Sequence, residues 1–110
     1  MGGVKNDSEK TPLDLIPPIA LEALGQVLGR GAKKYDRYNW TKGFEYSRLY
    51  GAILRHLNAW WGGENTDPET GLSHLWHALA DIVFLVAHEH YKLGSDDRHS
   101  WPAGKAENEP

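Results

Sequence analysis

The stretch Pro68–Leu93, "PETGLSHLWHALADIVFLVAHEHYKL", decides how this chain folds. It is oily enough for a core helix, yet it carries His74, His77, Asp81, His88 and His90. Leu75, Leu79, Ile82, Val83 and Val86 recur at helical spacing and form one apolar face. At roughly 100° per residue, His74, His77, Asp81 and His88 share a second stripe about 60° wide, nearly opposite that face. Trp76, Ala80 and Ala87 fill much of the remainder, and a helix that is apolar on several sides is buried on several sides. Asp67 reads as the N-cap and Pro68 as the first helical residue, so the helix is expected to run from about Pro68 to Leu93.

Two further helices are expected upstream. One begins after "LIPP", where Pro17 and Pro18 occupy a first turn whose amides lack partners in any case. Leu21, Leu24, Leu28, Gly31 and Tyr35 mark its apolar face, and Gly25 and Gly29 leave a notch suited to close helix packing. The other runs from about Ser47 to Trp61 and stops at Gly62-Gly63, with Leu49, Ala52, Ile53, Leu57 and Trp60 on its apolar face. Arg48 and Arg55 share a stripe of that helix, and His56 lies at its border. The expected fold is therefore all-α, a small bundle of three main helices completed by homo-oligomerisation into a dimer or tetramer, since three helices alone cannot cover the third.

The 110 residues make one domain. Residues 1–10 read as a flexible N-terminus, 11–93 as the folded all-α unit, and 94–110 as a polar C-terminal tail, because both ends are charged and punctuated by Gly or Pro. No cysteine is present, which excludes disulfides and thiolate metal sites and agrees with a reducing cytoplasm. No apolar run reaches about 18 residues, so a soluble chain with no membrane partner is expected. The net charge of −3 hides an asymmetry: nine of the twelve Lys and Arg lie in residues 1–55 against six acids, and three bases face nine acids thereafter. Such halves either attract each other or share a phosphate ligand between cations and a metal. Net acidity and the lack of helix-turn-helix punctuation argue against duplex nucleic acid.

His74 and His77 stand one turn apart, with Asp81 one turn beyond, so two imidazoles and a carboxylate can aim at one point. Imidazole and carboxylate ligate divalent metals (Mg, Mn, Co or Zn here), and His56 could add a further ligand. Glu64 and Asp67 are candidates to position an attacking water, while Lys33, Lys34, Arg48 and Arg55 are candidates for phosphate and Trp40 for a base. Each has a structural alternative. The histidines can bond a core network or a partner chain, Asp81 can pair with Arg48 or Arg55, and Lys33 and Lys34 can complement a helix C-terminus.

The motifs LIPP, GAKKY followed by NW, RHL, GENTDPETG and HLWHALAD, spread from about Thr11 to Leu93, resemble the phage and prophage domain named for dATP/dGTP diphosphohydrolase, its N-terminal domain. That resemblance implies an all-α protein acting on purine deoxynucleotides, cleaving a triphosphate to monophosphate and pyrophosphate in the host cytoplasm. It also suggests kinship with MazG-like all-α pyrophosphatases, which assemble as dimers or tetramers around metal-bearing helices. Those enzymes use paired ExxE and ExxD motifs, and neither motif is read in this chain. A non-catalytic binder that sequesters a nucleotide signal of host defence is the alternative.

Overall fold

Pro17 and Pro18 do start a helix. In the computed structural model, which describes residues 2–4 and 9–102, α1 spans Pro18–Lys34, α2 Tyr46–Trp61 and α3 His74–Tyr91. Short 3-10 turns at Leu13–Leu15 and Asn39–Lys42 precede α1 and α2. Among the described residues there are no strands, only isolated bridges at Glu45–Ser95 and Thr66–Ser73. The fold is all-α, and among the described residues no helix is long and apolar enough to cross a membrane. Residues 1, 5–8 and 103–110, parts of the expected flexible ends, lie outside the described residues.

The principal packing is α2 against α3, and α1 rests on α3 over a shorter contact. The α2 face that enters this contact carries Leu49, Ile53 and His56 at intervals of four and three, with Leu49 and Ile53 buried. From α3 come His74, Ala78 and His88, all buried. Here the structure departs from the expected orientation. The His–Asp stripe of α3 points inward, and part of the apolar face points out: Leu75, Ile82 and Val86 are 40%, 44% and 61% exposed. The physical reason is that the inward histidines find partners on α2 and its flanking loops, so burying them carries little desolvation cost, and Asp81 alone on the stripe bears one, seen in its raised pKa.

Two smaller expectations also change. Helix α3 starts six residues later than expected, at His74, because Ser73 rather than Asp67 is its cap and accepts from the Leu75 amide. Gly71, at φ +74, turns the chain just before it. The Gly25 and Gly29 notch is met by nothing within 4 Å, and the buried residue of α1 is Ala23.

The connector and the far end of α3 are tied together by His88, which is fully buried. Its Nδ1–H donates to the Phe84 carbonyl at 2.7 Å and its Nε2 accepts the Phe44 amide at 3.1 Å. Gly43 (φ +94) and Gly94 (φ +61) cross beside it, so closely that a Cβ on Gly94 would sit 2.0 Å from the Phe44 oxygen. Beyond this crossing the chain does not leave the bundle. The Ser95 carbonyl accepts the Tyr46 amide at 3.0 Å, and Asp97 accepts the Ser47 amide at 2.8 Å, satisfying open donors at the start of α2.

Candidate metal centre and the adjoining groove

The loop between α2 and α3 is built to hold carboxylates still. Helix α2 ends where the Gly62 amide bonds the Asn58 carbonyl, and Gly63 (φ +101) reverses the chain so that the Glu64 amide reaches Ala59. Asp67 then closes a tight turn: its amide bonds Leu72 at 2.8 Å and its carbonyl accepts Gly71 at 2.7 Å. Its side-chain Oδ1 accepts the Glu69 amide at 2.8 Å, an Asx turn. That leaves Oδ2 facing His56, 4.0 Å from Nδ1.

Three ligand atoms converge there. His56, Asp67 and His74 each place one within 4.8 Å of the others. The Nδ1 atoms of His56 and His74 are 2.9 Å apart, and His74 Nε2 meets Glu64 Oε1 at 2.6 Å. An ionised carboxylate only accepts, so His74 carries its proton on Nε2 and presents a bare Nδ1 to the cluster. A carboxylate behind an imidazole is the usual way a ligating histidine is oriented. Burial, then the neighbouring His77 and His74, lowers the His56 pKa and keeps that ring neutral. Two ligands held about 2.1 Å from a cation lie about 3 Å apart at right angles and about 4 Å apart on opposite sides. The His56–His74 and His56–Asp67 separations meet this, while the set as a whole, spread to 4.8 Å, must draw in slightly to hold a divalent ion.

His77 is adjacent but turned. Its ring stacks on His56 at 4.8 Å, and its Nε2 lies 2.7 Å from Thr70 Oγ1. Burial lowers its pKa as well. Asp81 stands apart from the cluster; burial raises its pKa to about 6, and the Arg55 charge opposes that rise without cancelling it.

His77 and Thr70 also form a wall of a groove of about 650 Å³ at the C-terminal end of α1. Arg30, Lys33, Lys34 and Arg37 line it, together with Trp40, which stacks on Phe84 at 5.4 Å. Among the expected phosphate and base contacts, Lys33, Lys34 and Trp40 therefore meet in one place. Arg48 and Arg55 do not line this groove; Arg48 lies over the Phe44 ring.

The family model described as dATP/dGTP diphosphohydrolase, N-terminal, matches residues 2–98. The chain belongs to that family. A dATP/dGTP diphosphohydrolase of Salmonella phage PMBT28 is 39% identical over 103 residues, covering 94% of this chain. The chain spans about a third of that relative's length (35%). No solved structure matches.

Set against this dATP/dGTP diphosphohydrolase N-terminal family, three assignments shift. Asp67 sits with the ligand atoms and Glu64 behind His74, and the two stand at ExxD spacing, so the chain does carry one half of the paired motif. His77 is a neighbour of the cluster whose ring nitrogen is engaged by Thr70. Thr70 itself gave no signal in the sequence, since a hydroxyl seven residues ahead of a histidine has no recognisable spacing.

Proposed function

We propose that this chain is the nucleotide-handling part of a metal-dependent diphosphohydrolase that cleaves purine deoxynucleoside triphosphates, dATP or dGTP, to monophosphate and pyrophosphate. The observation that carries this reading is the His56–Asp67–His74 cluster, walled by His77 from a cationic, aromatic groove. The name of the phage relative supports the substrate class. The chain would work in the host cytoplasm.

His56, His74 and Asp67 would hold the ion, while His77, engaged by Thr70, and Asp81, apart from the cluster, would flank it without ligating. A divalent ion there supplies water of lowered pKa and neutralises phosphate charge. Glu64 fixes the His74 ring with one carboxylate oxygen, and its second oxygen accepts the proton of the attacking water. Water oxygen adds to the α phosphorus, the bond from that phosphorus to the α–β bridging oxygen breaks, and pyrophosphate leaves with the electron pair. Lys33 and Lys34 hold phosphate oxygens meanwhile, and Trp40 packs the base. Outside the groove, Arg55, whose charge acts on His56 and Asp81, would serve phosphate from the side of the cluster, and Arg48, over the Phe44 ring, would serve it across an oligomer.

That oligomer, a dimer or tetramer of this chain, is part of the proposal. Its support is the outward stripe of Leu75, Ile82 and Val86, an apolar row of the kind soluble surfaces seldom leave open. The second reading, a binder that sequesters nucleotide without turnover, draws support from the missing ExxE partner to Glu64 and Asp67. Incubation with dGTP or dATP and Mn, Mg, Co or Zn decides between them. Pyrophosphate release that His74→Ala abolishes is the expected result. Intact nucleotide recovered after denaturation, with tight binding, would favour sequestration.

A further inference from the structure

The groove and the cluster are separate constructions, and the groove is the more complete of the two. We propose that it is a nucleoside-phosphate subsite that engages its ligand without metal, with Trp40, backed by Phe84, taking the planar base and Arg30, Lys33, Lys34 and Arg37 the phosphates. The choice of a nucleotide as ligand rests on the function proposed above; the division of labour and the independence from metal come from the geometry.

Size comes first. About 650 Å³ falls inside the range of about 300–1,000 Å³ that small-molecule sites occupy. Charge is second. The C-terminus of α1 carries about half a negative charge, which one lysine already complements. Four cations line the groove against two carboxylates, Asp36 and Glu69, an excess of two positive charges. Asp36 is further engaged by Lys42 at 3.5 Å, from beyond the groove lining, and by the Tyr38 amide at 3.0 Å. The excess suits an anion of more than one charge.

Third is the aromatic floor. Trp40 and Phe84 stack on each other within 24° of parallel, which holds the Trp40 indole in place in the groove lining, and an aromatic ring so held can take any base because every base has a π face. His77 and Thr70, which line the groove, join it to the cluster, because the His77 ring stacks on His56.

One contact makes the proposal sharply testable. Lys34 Nζ lies 3.8 Å from Glu69 Oε1, an exposed pair linking α1 to the loop that carries Asp67. A phosphate that takes Lys34 displaces Glu69. Removing Lys34 and removing the Glu69 charge must then act in opposite directions, with neither change touching the core.

The experiment is calorimetric titration of the full chain with dGTP and with deoxyguanosine, in EDTA. The expected result is dGTP binding without metal, weakened about fivefold by Lys34→Gln and tightened a few-fold by Glu69→Gln, with deoxyguanosine indifferent to both. Trp40→Ala should weaken both ligands about tenfold. Absence of dGTP binding in EDTA, or indifference of dGTP to both charge variants, overturns the subsite. Binding in EDTA with no pyrophosphate release in metal keeps the subsite and removes the hydrolase. Pyrophosphate release with no binding in EDTA does the reverse.

Discussion

Glu64 Oε1 stands 2.6 Å from His74 Nε2, while the opposite nitrogen of the same ring stands 2.9 Å from His56 Nδ1. One contact dictates the other. The carboxylate pins the proton to Nε2 and so leaves a lone pair aimed into the cluster. Glu64→Gln keeps the size of the side chain and replaces the charge, so the fold should survive. Divalent-ion affinity should fall about 10–100-fold, with the number of sites unchanged. Isothermal titration with Mn or Zn checks this, and an unchanged affinity would remove Glu64 from the centre.

Asp81 gives a pH dependence of definite sign. Its folded pKa is raised to about 6 from 3.8, so its contribution to stability is fully present below about pH 4 and is lost as pH rises through 6. Asp81→Asn should therefore stabilise the chain at pH 8, by about 1 kcal/mol once solvent access to this half-buried group is allowed for, and give no gain at pH 4. His56 and His77 act oppositely. Their folded pKa values are lowered, so they favour the fold above about pH 6.5 and withdraw that support as pH falls below it. Denaturant melts at pH 4, 6 and 8 read both trends; a gain for Asp81→Asn that is the same at every pH would contradict the assignment.

These two cases show what the sequence made legible. Periodicity alone placed His74, His77, Asp81 and His88 on one stripe of α3 and Leu75, Ile82 and Val86 on another, and both stripes exist. It did not give the direction. An apolar row ordinarily points inward, but here His56 on α2 and the Phe44 amide offer partners that a single helix cannot reveal, and the polar stripe turns in. The loop was misread for a related reason. Asp67-Pro68 has the residue types of a helix start, and it was the Asx turn to Glu69 together with positive-φ Gly71 that ended the loop at Ser73 instead. Lys33, Lys34 and Trp40 line one groove, a nearness that their closeness in sequence allows. Arg48 and Arg55 do not line it, since membership of a groove depends on how separate elements pack.

The crossing of Gly43 and Gly94 should be intolerant of any side chain. Gly94→Ala would force a Cβ into the Phe44 backbone and hold an alanine at positive φ. A loss of at least about 2 kcal/mol is expected in urea unfolding. His88→Ala, on the same crossing, should cost about 2–4 kcal/mol through the cavity and the orphaned Phe44 amide. Wild-type stability in either variant would show that the crossing is not what holds the connector.

The outward face of α3 predicts association. Sedimentation of the wild-type chain should show a dimer or tetramer, and Val86→Lys, at a position 61% exposed within one chain, should shift it to monomer while keeping its helix content. A wild-type chain that sediments as a monomer at every concentration would leave this face unexplained and Arg48 without a role.

The most direct measurement is a Mn titration of the full chain followed by electron paramagnetic resonance. His56, Asp67 and His74 holding one ion predicts one Mn bound per chain, lost in both His74→Ala and Asp67→Asn while circular dichroism remains helical. Mn that never binds to the wild-type chain, or that binds the two variants as well as the parent, would contradict the metal centre.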